Sequence, residues 1–332
     1  MNRIQGVMVN NGIRCSEMAP GIVRIVLSHP YPPSNVYFLR GNPPALVDSG
    51  HPGDQSFRVM IQALHSLGYA PEELGTIVYT HPHRDHLGGG VRLQVPGWIH
   101  HREVEGLADL YESSRREIDL RLERARYIFG HNGDHFFSSS DLDRFIHSQF
   151  VMRGCIPVEG SLREGDGIQL GERTWTVLEA PGHHVHHICL YDPSDGILLA
   201  GDAVIRNVVT VGNDLHQYIA TLKRLAQLNC RLMLPGHGAP IDRPSKMIAV
   251  LIDLACRRKE LILELISREP MGVPQIMSGL FARLPKHYAA YQSIAGQILQ
   301  FLKALKAEDR IEECIENGRI TFIYSPNPDS RK

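Results

Sequence analysis

The chain has 332 residues, 43% hydrophobic and 21% charged, with a formal net charge of −1, which is the balance of a globular protein with a large core and one or two domains. Lysine and arginine total 35 against 36 aspartates and glutamates, so there is no basic excess to mark a polyanion-binding protein. No apolar run approaches the ~18 residues of a membrane span, and the opening residues lack a basic start followed by an apolar core, so the expected location is the cytoplasm.

Six cysteines, Cys15, Cys155, Cys189, Cys230, Cys256 and Cys314, are scattered without a C-x-x-C pair, and are expected to be reduced and mostly buried. Strands are predicted at Ile22–Leu27, at 35–40 and at Ala45–Val47, the last running into Asp48-Ser49-Gly50. Asp48 is either a ligand or the hydrogen-bonding hub of a strand-end turn, and the Asp-Ser-Gly context favours the hub. Helical spacing follows over 54–67, then a β-like run at 75–79.

Residues 79–90 read Tyr-Thr-His-Pro-His-Arg-Asp-His-Leu-Gly-Gly-Gly. Imidazole and carboxylate are donors that zinc and its neighbours favour. In extended backbone residues i and i+2 point the same way, so His81 and His83 can grip one ion. Asp85 and His86 are adjacent and cannot share that direction, which suggests a second ion across a turn. Gly88, Gly89 and Gly90 let the following backbone pack closely. The alternative is a histidine-rich surface loop in a chain with 18 histidines.

Over 101–153 the strand-helix rhythm breaks. Val104, Leu107, Tyr111, Ile118, Leu122, Ala125 and Phe129 recur at helical intervals, predicting an amphipathic helix interrupted near Ser113-Ser114, then a loop carrying Phe136 and Phe137, then a short helix at 142–150. This insertion is either a helical hairpin packed on the sheet or a lid in which Phe136 and Phe137 meet substrate.

Strands return at 168–170, 174–178, 187–191 and 197–200. Between the second and third lies Ala180-Pro-Gly-His-His-Val-His-His187. Gly201-Asp202 and Pro235-Gly236-His237-Gly238 place a carboxylate and a histidine at two further strand ends.

The ordered set His81-Pro-His83-Arg-Asp85-His86, Pro181-Gly182-His183, Gly201-Asp202 and Pro235-Gly236-His237-Gly238 resembles the metallo-β-lactamase superfamily over roughly residues 15 to 242. The resemblance implies an α+β fold, an αββα sandwich of two mixed sheets flanked by helices. It implies that His81, His83 and His183 hold one metal, that Asp85, His86 and His237 hold another, and that Asp202 bridges them. Asp48 matches the family's Asp-x-Gly turn behind the site, and His187 matches a supporting histidine. The chain departs from the family in two ways. The stretch between His86 and His183 is longer than in compact members, and His184 and His186 stand where the family often has a small polar residue and a glycine. These two read as structural histidines.

Residues 243–332 predict three helices, marked by Met247 to Leu265, by 273–284 and by Tyr291 to Leu305, followed by a hairpin turning on Asn317-Gly318. They are similar to a winged helix, as appended in one branch of the superfamily. Packing or homodimerisation is favoured over nucleic-acid recognition, since the third helix carries only Lys303 and Lys306 near its end.

The expected function is that of a binuclear metal-dependent hydrolase. Two divalent ions, zinc foremost with iron or manganese as alternatives, can bridge a water and lower its pKa from about 15.7 toward about 7, leaving hydroxide to attack an electrophilic centre. Asp202 would set the intermetal distance and Asp85 would orient the hydroxide or pass a proton. The expected substrate is a small acyl thioester, ester or lactone, with coenzyme A or glutathione as the thioester carrier. The alternatives are an endoribonuclease on single-stranded RNA and, behind it, a β-lactamase or a non-catalytic metal-binding protein.

Overall fold

A computed structural model describes residues 7–10, 13–28, 32–129, 152–284, 288–316 and 319–326. The expected loop with Phe136 and Phe137, the helix at 142–150 and the turn at 317–318 lie outside them.

The first sheet has eight strands in chain order: β1 (Val7–Asn10), β2 (Ile13–Ala19), β3 (Ile22–Leu27), β4 (Ser34–Leu39), β5 (Ala45–Val47), β6 (Thr76–Val78), β7 (Gly97–His100) and β8 (Val158–Leu162). The pairs from β1 to β5 are antiparallel, and those from β5 to β8 are parallel. The second sheet is ordered β13-β12-β11-β10-β9, where β9 is Gly167–Leu170, β10 Arg173–Glu179, β11 Ile188–Asp192, β12 Ile197–Gly201 and β13 Leu232–Pro235. Only the β12–β13 pair in it is parallel.

Strand periodicity sorts the side chains into layers. Val47 and Val78 of the first sheet meet Trp175, Val177, Leu190, Leu199 and Leu234 of the second between the sheets. Their neighbours Leu46 and Ile77 point the other way, onto Met60, Ala63 and Leu64 of helix α1 (Asp54–Ser66), whose buried positions recur at helical spacing. Met60 and Leu64 are wholly buried, worth about 1.5–3 kcal/mol each. Leu198 and Ala200 face outward onto Leu215, Tyr218 and Leu222 of a later helix, Leu215–Leu225, started by Asp214, whose carboxylate accepts the Gln217 N–H at 2.8 Å. The result is two mixed sheets face to face, each covered by helices on its outer side. Because both faces of β11 and β12 are covered, every residue in them is buried, and they read as continuous apolar runs.

Between β6 and β8 of the first sheet the chain makes α2 (Arg84–Leu87), α3 (Gly90–Leu93), α4 (Val104–Ala108) and α5 (Leu110–Phe129); the helix Leu215–Leu225 is then α6. The helical stretch breaks at Asp109, not at the expected Ser113-Ser114. Asp109 leaves helical geometry, and its carboxylate accepts the Glu112 N–H at 3.0 Å, starting α5. Ser114 fits inside α5 because its hydroxyl donates to Leu110 O at 2.6 Å and accepts the Met152 N–H at 3.1 Å. Helix α5 packs against elements from the end of the chain.

Those elements are α7 (Pro244–Arg268), α8 (Val273–Leu280), α9 (Tyr288–Ala307) and the hairpin β14 (Ile311–Glu316) and β15 (Arg319–Tyr324). Ile248, Leu251, Ile262, Ile276, Ile298, Leu302 and Phe322 share one continuous apolar cluster with α6 and the outer face of the second sheet. Among the described residues no helix is long and apolar enough to cross a membrane.

Candidate metal centre

Every motif singled out above ends at one edge of the sandwich. His81 and His83 follow β6, Asp85 and His86 ride on α2, His183 follows β10, Asp202 follows β12 and His237 follows β13. The backbone between them is tied together: Gly236 N–H donates to Gly201 O at 2.7 Å, and Ser49 N–H to His86 O at 2.5 Å. The Gly88–Gly90 run is needed for close approach, since a Cβ on Gly89 would lie 2.1 Å from Ser49 O. A Cβ on Gly236 would lie 2.4 Å from Asp202 Oδ1 and 2.6 Å from His86 Cε1.

The donor atoms converge in two groups with a carboxylate between them. His83 Nδ1 lies 2.9 Å from His81 Nε2 and 3.0 Å from His183 Nε2. His237 Nε2 lies 3.1 Å from Asp85 Oδ2, and His86 Nε2 lies 3.9 Å from it. Asp202 reaches both groups, with Oδ2 at 3.6 Å from His183 Nε2 and 3.5 Å from His237 Nε2, and Oδ1 at 3.6 Å from His86 Nε2. His81, His83 and His183 could hold one ion and Asp85, His86 and His237 another; His81, His86 and Asp202 also form a group of ligand spacing.

On His81, His86, His183 and His237 the ring nitrogen opposite the donor is engaged, which sets the orientation of each ring. His81 Nδ1–H donates to Thr80 Oγ1 at 2.9 Å, and that hydroxyl passes its own hydrogen to Asp48, 3.0 Å away at Oδ2. His86 Nδ1–H donates to Asp48 Oδ2 at 2.7 Å, His183 Nδ1–H to Thr210 O at 2.8 Å, and His237 Nδ1–H to Pro33 O at 2.9 Å. Each therefore turns its Nε2 toward the centre, the atom that can offer a lone pair to an ion once any second proton has left it. Asp48 thus stands behind two histidines at once, and His187 Nε2 accepts the Asp202 N–H at 3.0 Å.

The sequence motifs do not single out Thr80, Thr210, Pro33 or Asn35. Asn35 Nδ2 donates to Pro235 O at 2.8 Å and Gly238 O at 3.0 Å, and Asn35 N–H donates to Gly236 O at 2.7 Å. Tyr37 Oη donates to Pro235 O at 2.7 Å. The loop that carries His237 is therefore held by β4 of the opposite sheet.

Electrostatics make the cluster a cation seat. Burial opposes charge on Asp202, yet His237 and His86 hold its carboxyl well below the usual range. Asp85 is held down in the same way by His86 and His237. Burial works against the His86 cation, but Asp202, Asp48 and Asp85 raise it well above an ordinary histidine. His237 is likewise pushed up to about 9 by Asp202 and Asp85 against burial. Burial, helped by the neighbouring rings, lowers His81 and His187, and burial lowers His183.

Two buried atoms supply the test of fit. His86 Nε2 and Asp202 Oδ1 have no hydrogen-bond partner among the described residues, although they face each other at 3.6 Å. A buried polar atom left unpaired costs about 1–3 kcal/mol. A cation between them removes that penalty, and a nitrogen and oxygen donor set without cysteine suits zinc in an open, reactive site. The residues present fit divalent metal.

His184 and His186 lie beside this centre. The His184 ring is 5.6 Å from that of His83, and burial, with His183 and His186, pushes it down to about 3. His186 Nδ1 donates to Glu103 Oε1 at 2.5 Å, and its ring stacks on His100 at 4.9 Å. His100, His101 and Glu179 form another group of ligand spacing. There His100 Nε2 already donates to Glu179 at 3.1 Å while its Nδ1 accepts the Arg102 N–H at 3.3 Å, leaving no bare lone pair.

Comparison with known proteins agrees with this architecture. Residues 30–237 match the family model described as Metallo-beta-lactamase superfamily. The chain is 25% identical over 306 residues to a Bacillus subtilis (strain 168) protein named Probable metallo-hydrolase YqjP, covering 86% of this chain and 92% of that one. It is 24% identical over 291 residues to Atrochrysone carboxyl ACP thioesterase of Aspergillus fumigatus, covering 82% of this chain and 77% of that one. A metallo-beta-lactamase family protein of Thermus thermophilus superposes with a TM-score of 0.75 at 24% identity, over 93% of this chain and 100% of that one. That superposition shows the fold alone.

Proposed function

Because the chain belongs to the metallo-beta-lactamase superfamily, a family of metal-dependent hydrolases, we propose that it is a binuclear hydrolase of a small acyl thioester, ester or lactone. The observation that carries this reading is the shared carboxylate: Asp202 lies between the two groups of ligands, and its Oδ1 and the facing His86 Nε2 are buried and unpartnered.

His81, His83 and His183 would hold one ion, Asp85, His86 and His237 the other, and Asp202 both. Zinc suits these donors best. Bound divalent ions of this kind supply a water whose pKa drops from about 15.7 toward about 7, and Lewis-acid pull on a carbonyl oxygen. The chain's own residues do the positioning. Asp48, Thr210 and Pro33 take the Nδ1–H of His86, His183 and His237 and so aim each Nε2 at the centre. Asp85, partly exposed, can align the attacking water and take a proton from it.

The Aspergillus relative is named an ACP thioesterase, which supports a thioester among the substrates; coenzyme A or glutathione is the carrier proposed for this chain. The three helices and hairpin after residue 242 are read as a winged-helix-like unit used for packing. Lys306, one of the two lysines near the end of α9, is paired with Glu313 at 2.8 Å, which disfavours nucleic acid there.

The experiment is a side-by-side assay of metal-loaded protein on acyl-CoA, acyl-glutathione, lactone and aryl ester substrates and on single-stranded RNA. At least one acyl class should be hydrolysed, with activity abolished by chelator, while RNA stays at background. Efficient RNA cleavage that falls steeply with salt, with every acyl substrate at background, refutes the reading.

A further inference from the structure

We propose that His184 is a catalytic residue, the hydrogen-bond donor that holds the acyl carbonyl oxygen as negative charge develops on it. The inference rests on the acyl-hydrolase reading above.

Position comes first. The His184 ring lies 5.6 Å from the ring of His83 and 6.3 Å from that of His81. Its side chain keeps 21% of its surface exposed, so it borders both the three-histidine group and the solvent from which a substrate enters. None of the metal-holding roles uses it.

The second point is which ring nitrogen carries the proton. His184 Nδ1 accepts the backbone N–H of His186 at 3.2 Å. Glu103 Oε1 is 4.0 Å from the same Nδ1, too far for a hydrogen bond. An acceptor at Nδ1 puts the hydrogen on Nε2, and among the described residues no protein acceptor is seen to receive it. That N–H is a donor left for an incoming group. It also argues against His184 as a further ligand, since Nε2 has no lone pair to offer.

The third point is rigidity. His184 O accepts from Gly182 N–H at 3.3 Å and from His187 N–H at 3.4 Å. The His186 ring is fixed by Glu103 at 2.5 Å and lies nearly parallel to His100, 3° between planes. A donor held in advance needs no reorganisation when charge appears, which is how such groups accelerate acyl transfer.

In the step, water oxygen bonds to the acyl carbon and the carbonyl π pair moves onto oxygen, where His184 Nε2–H meets it. When the pair returns, the C–S or C–O bond breaks and its electrons leave on sulfur or oxygen. One water proton ends on the leaving group and the other is lost as the carboxylic acid ionises. His184 keeps its own proton throughout.

The test compares wild type with His184→Ala, His184→Gln and His184→Asn, reading kcat, KM and bound metal on the best acyl substrate. A glutamine amide places an N–H near the reach of Nε2, whereas asparagine reaches only the Nδ1 position. The Ala and Asn variants should lose about 10²–10³-fold in kcat with little change in KM. They should bind as much metal as wild type, and Gln should recover at least about tenfold over Ala. If Ala fails to fold, the Gln-against-Asn contrast decides. An Ala variant with wild-type kcat, an Ala variant short of one ion, or a Gln variant no better than Asn overturns the proposal. A wild type inactive on every acyl substrate overturns the acyl-hydrolase reading and this inference with it, whereas an active wild type with an indifferent variant overturns this inference alone.

Discussion

Replacing Asp48 by Asn should remove one acceptor while leaving its turn in place. Asp48 has φ +61°, a left-handed conformation that Asn adopts more readily than Ala. The amide oxygen can still take the Thr80 N–H that Oδ1 accepts at 2.8 Å. The amide nitrogen then stands where Oδ2 accepts His86 Nδ1–H at 2.7 Å, so two donors confront each other. His86 escapes only by moving its hydrogen to Nε2, the atom proposed to bind metal. A hydrogen bond to a charged group is worth about 1.5–3 kcal/mol. At about 1.4 kcal/mol per tenfold, the ion held by Asp85, His86 and His237 should bind roughly 10- to 150-fold more weakly. The other ion should change by less than about threefold, because the Thr80 hydroxyl can still donate to the amide oxygen while accepting from His81. Zinc titrated into metal-free protein against a competing chelator resolves the two constants. Equal weakening of both ions, or no weakening of either, would refute the argument that Asp48 acts by setting the His86 tautomer.

Loading the metal-free protein at pH 7 should release protons. His86 is raised and His237 lies at about 9, so both carry protons that an ion must displace. Affinity should therefore fall as pH drops below about 9, by about tenfold per unit for each proton displaced, and calorimetry in buffers of different ionisation enthalpy counts those protons. By the same sign, the raised His237 stabilises the metal-free fold below its ordinary value of 6.5, and that contribution is lost as pH rises through about 9. Asn35→Ala should weaken the ion at His237 by about 10- to 100-fold while sparing the His81, His83 and His183 group, as read by stepwise metal binding. Gly236→Ala should abolish hydrolysis in a folded protein, because its Cβ would intrude 2.4 Å from Asp202 Oδ1; retained activity counts against Asp202 as the shared ligand.

The centre is legible because its donors are chemically unusual residues placed beside glycine or proline at strand ends, and such residues keep their signal whatever surrounds them. Their supports are not legible. Thr210 and Pro33 contribute backbone carbonyls, which any residue in those places offers. Asn35 acts across some 200 positions on Pro235, a pairing that exists only once β4 and β13 lie at the same edge. Strands β5 and β12 announce themselves by their apolar runs, whereas β7 and β8, with Gly97 and Gly160 and with Glu159 and Ser161, offer little alternation. Helix α6 is absent from the sequence expectations although Leu215, Tyr218, Leu222 and Leu225 are spaced for one buried face. Ser113-Ser114 misleads because a serine can back-bond within a helix, and the break falls instead to Asp109 as a cap.

The apolar cluster that joins α6 to α7, α8 and α9 also orders events during synthesis. By the time residue 242 leaves the ribosome, every donor of the centre has been made. Yet α6 still lacks the helices that cover it, and Tyr218 on α6 backs the His183 turn so closely that a Cβ on Gly182 would lie 2.4 Å from its Cα. A nascent chain at that stage carries a complete set of ligands on an unfinished wall and exposes an apolar surface that invites aggregation. The last helices to be translated therefore complete the wall behind the His183 turn only after every candidate ligand has been made.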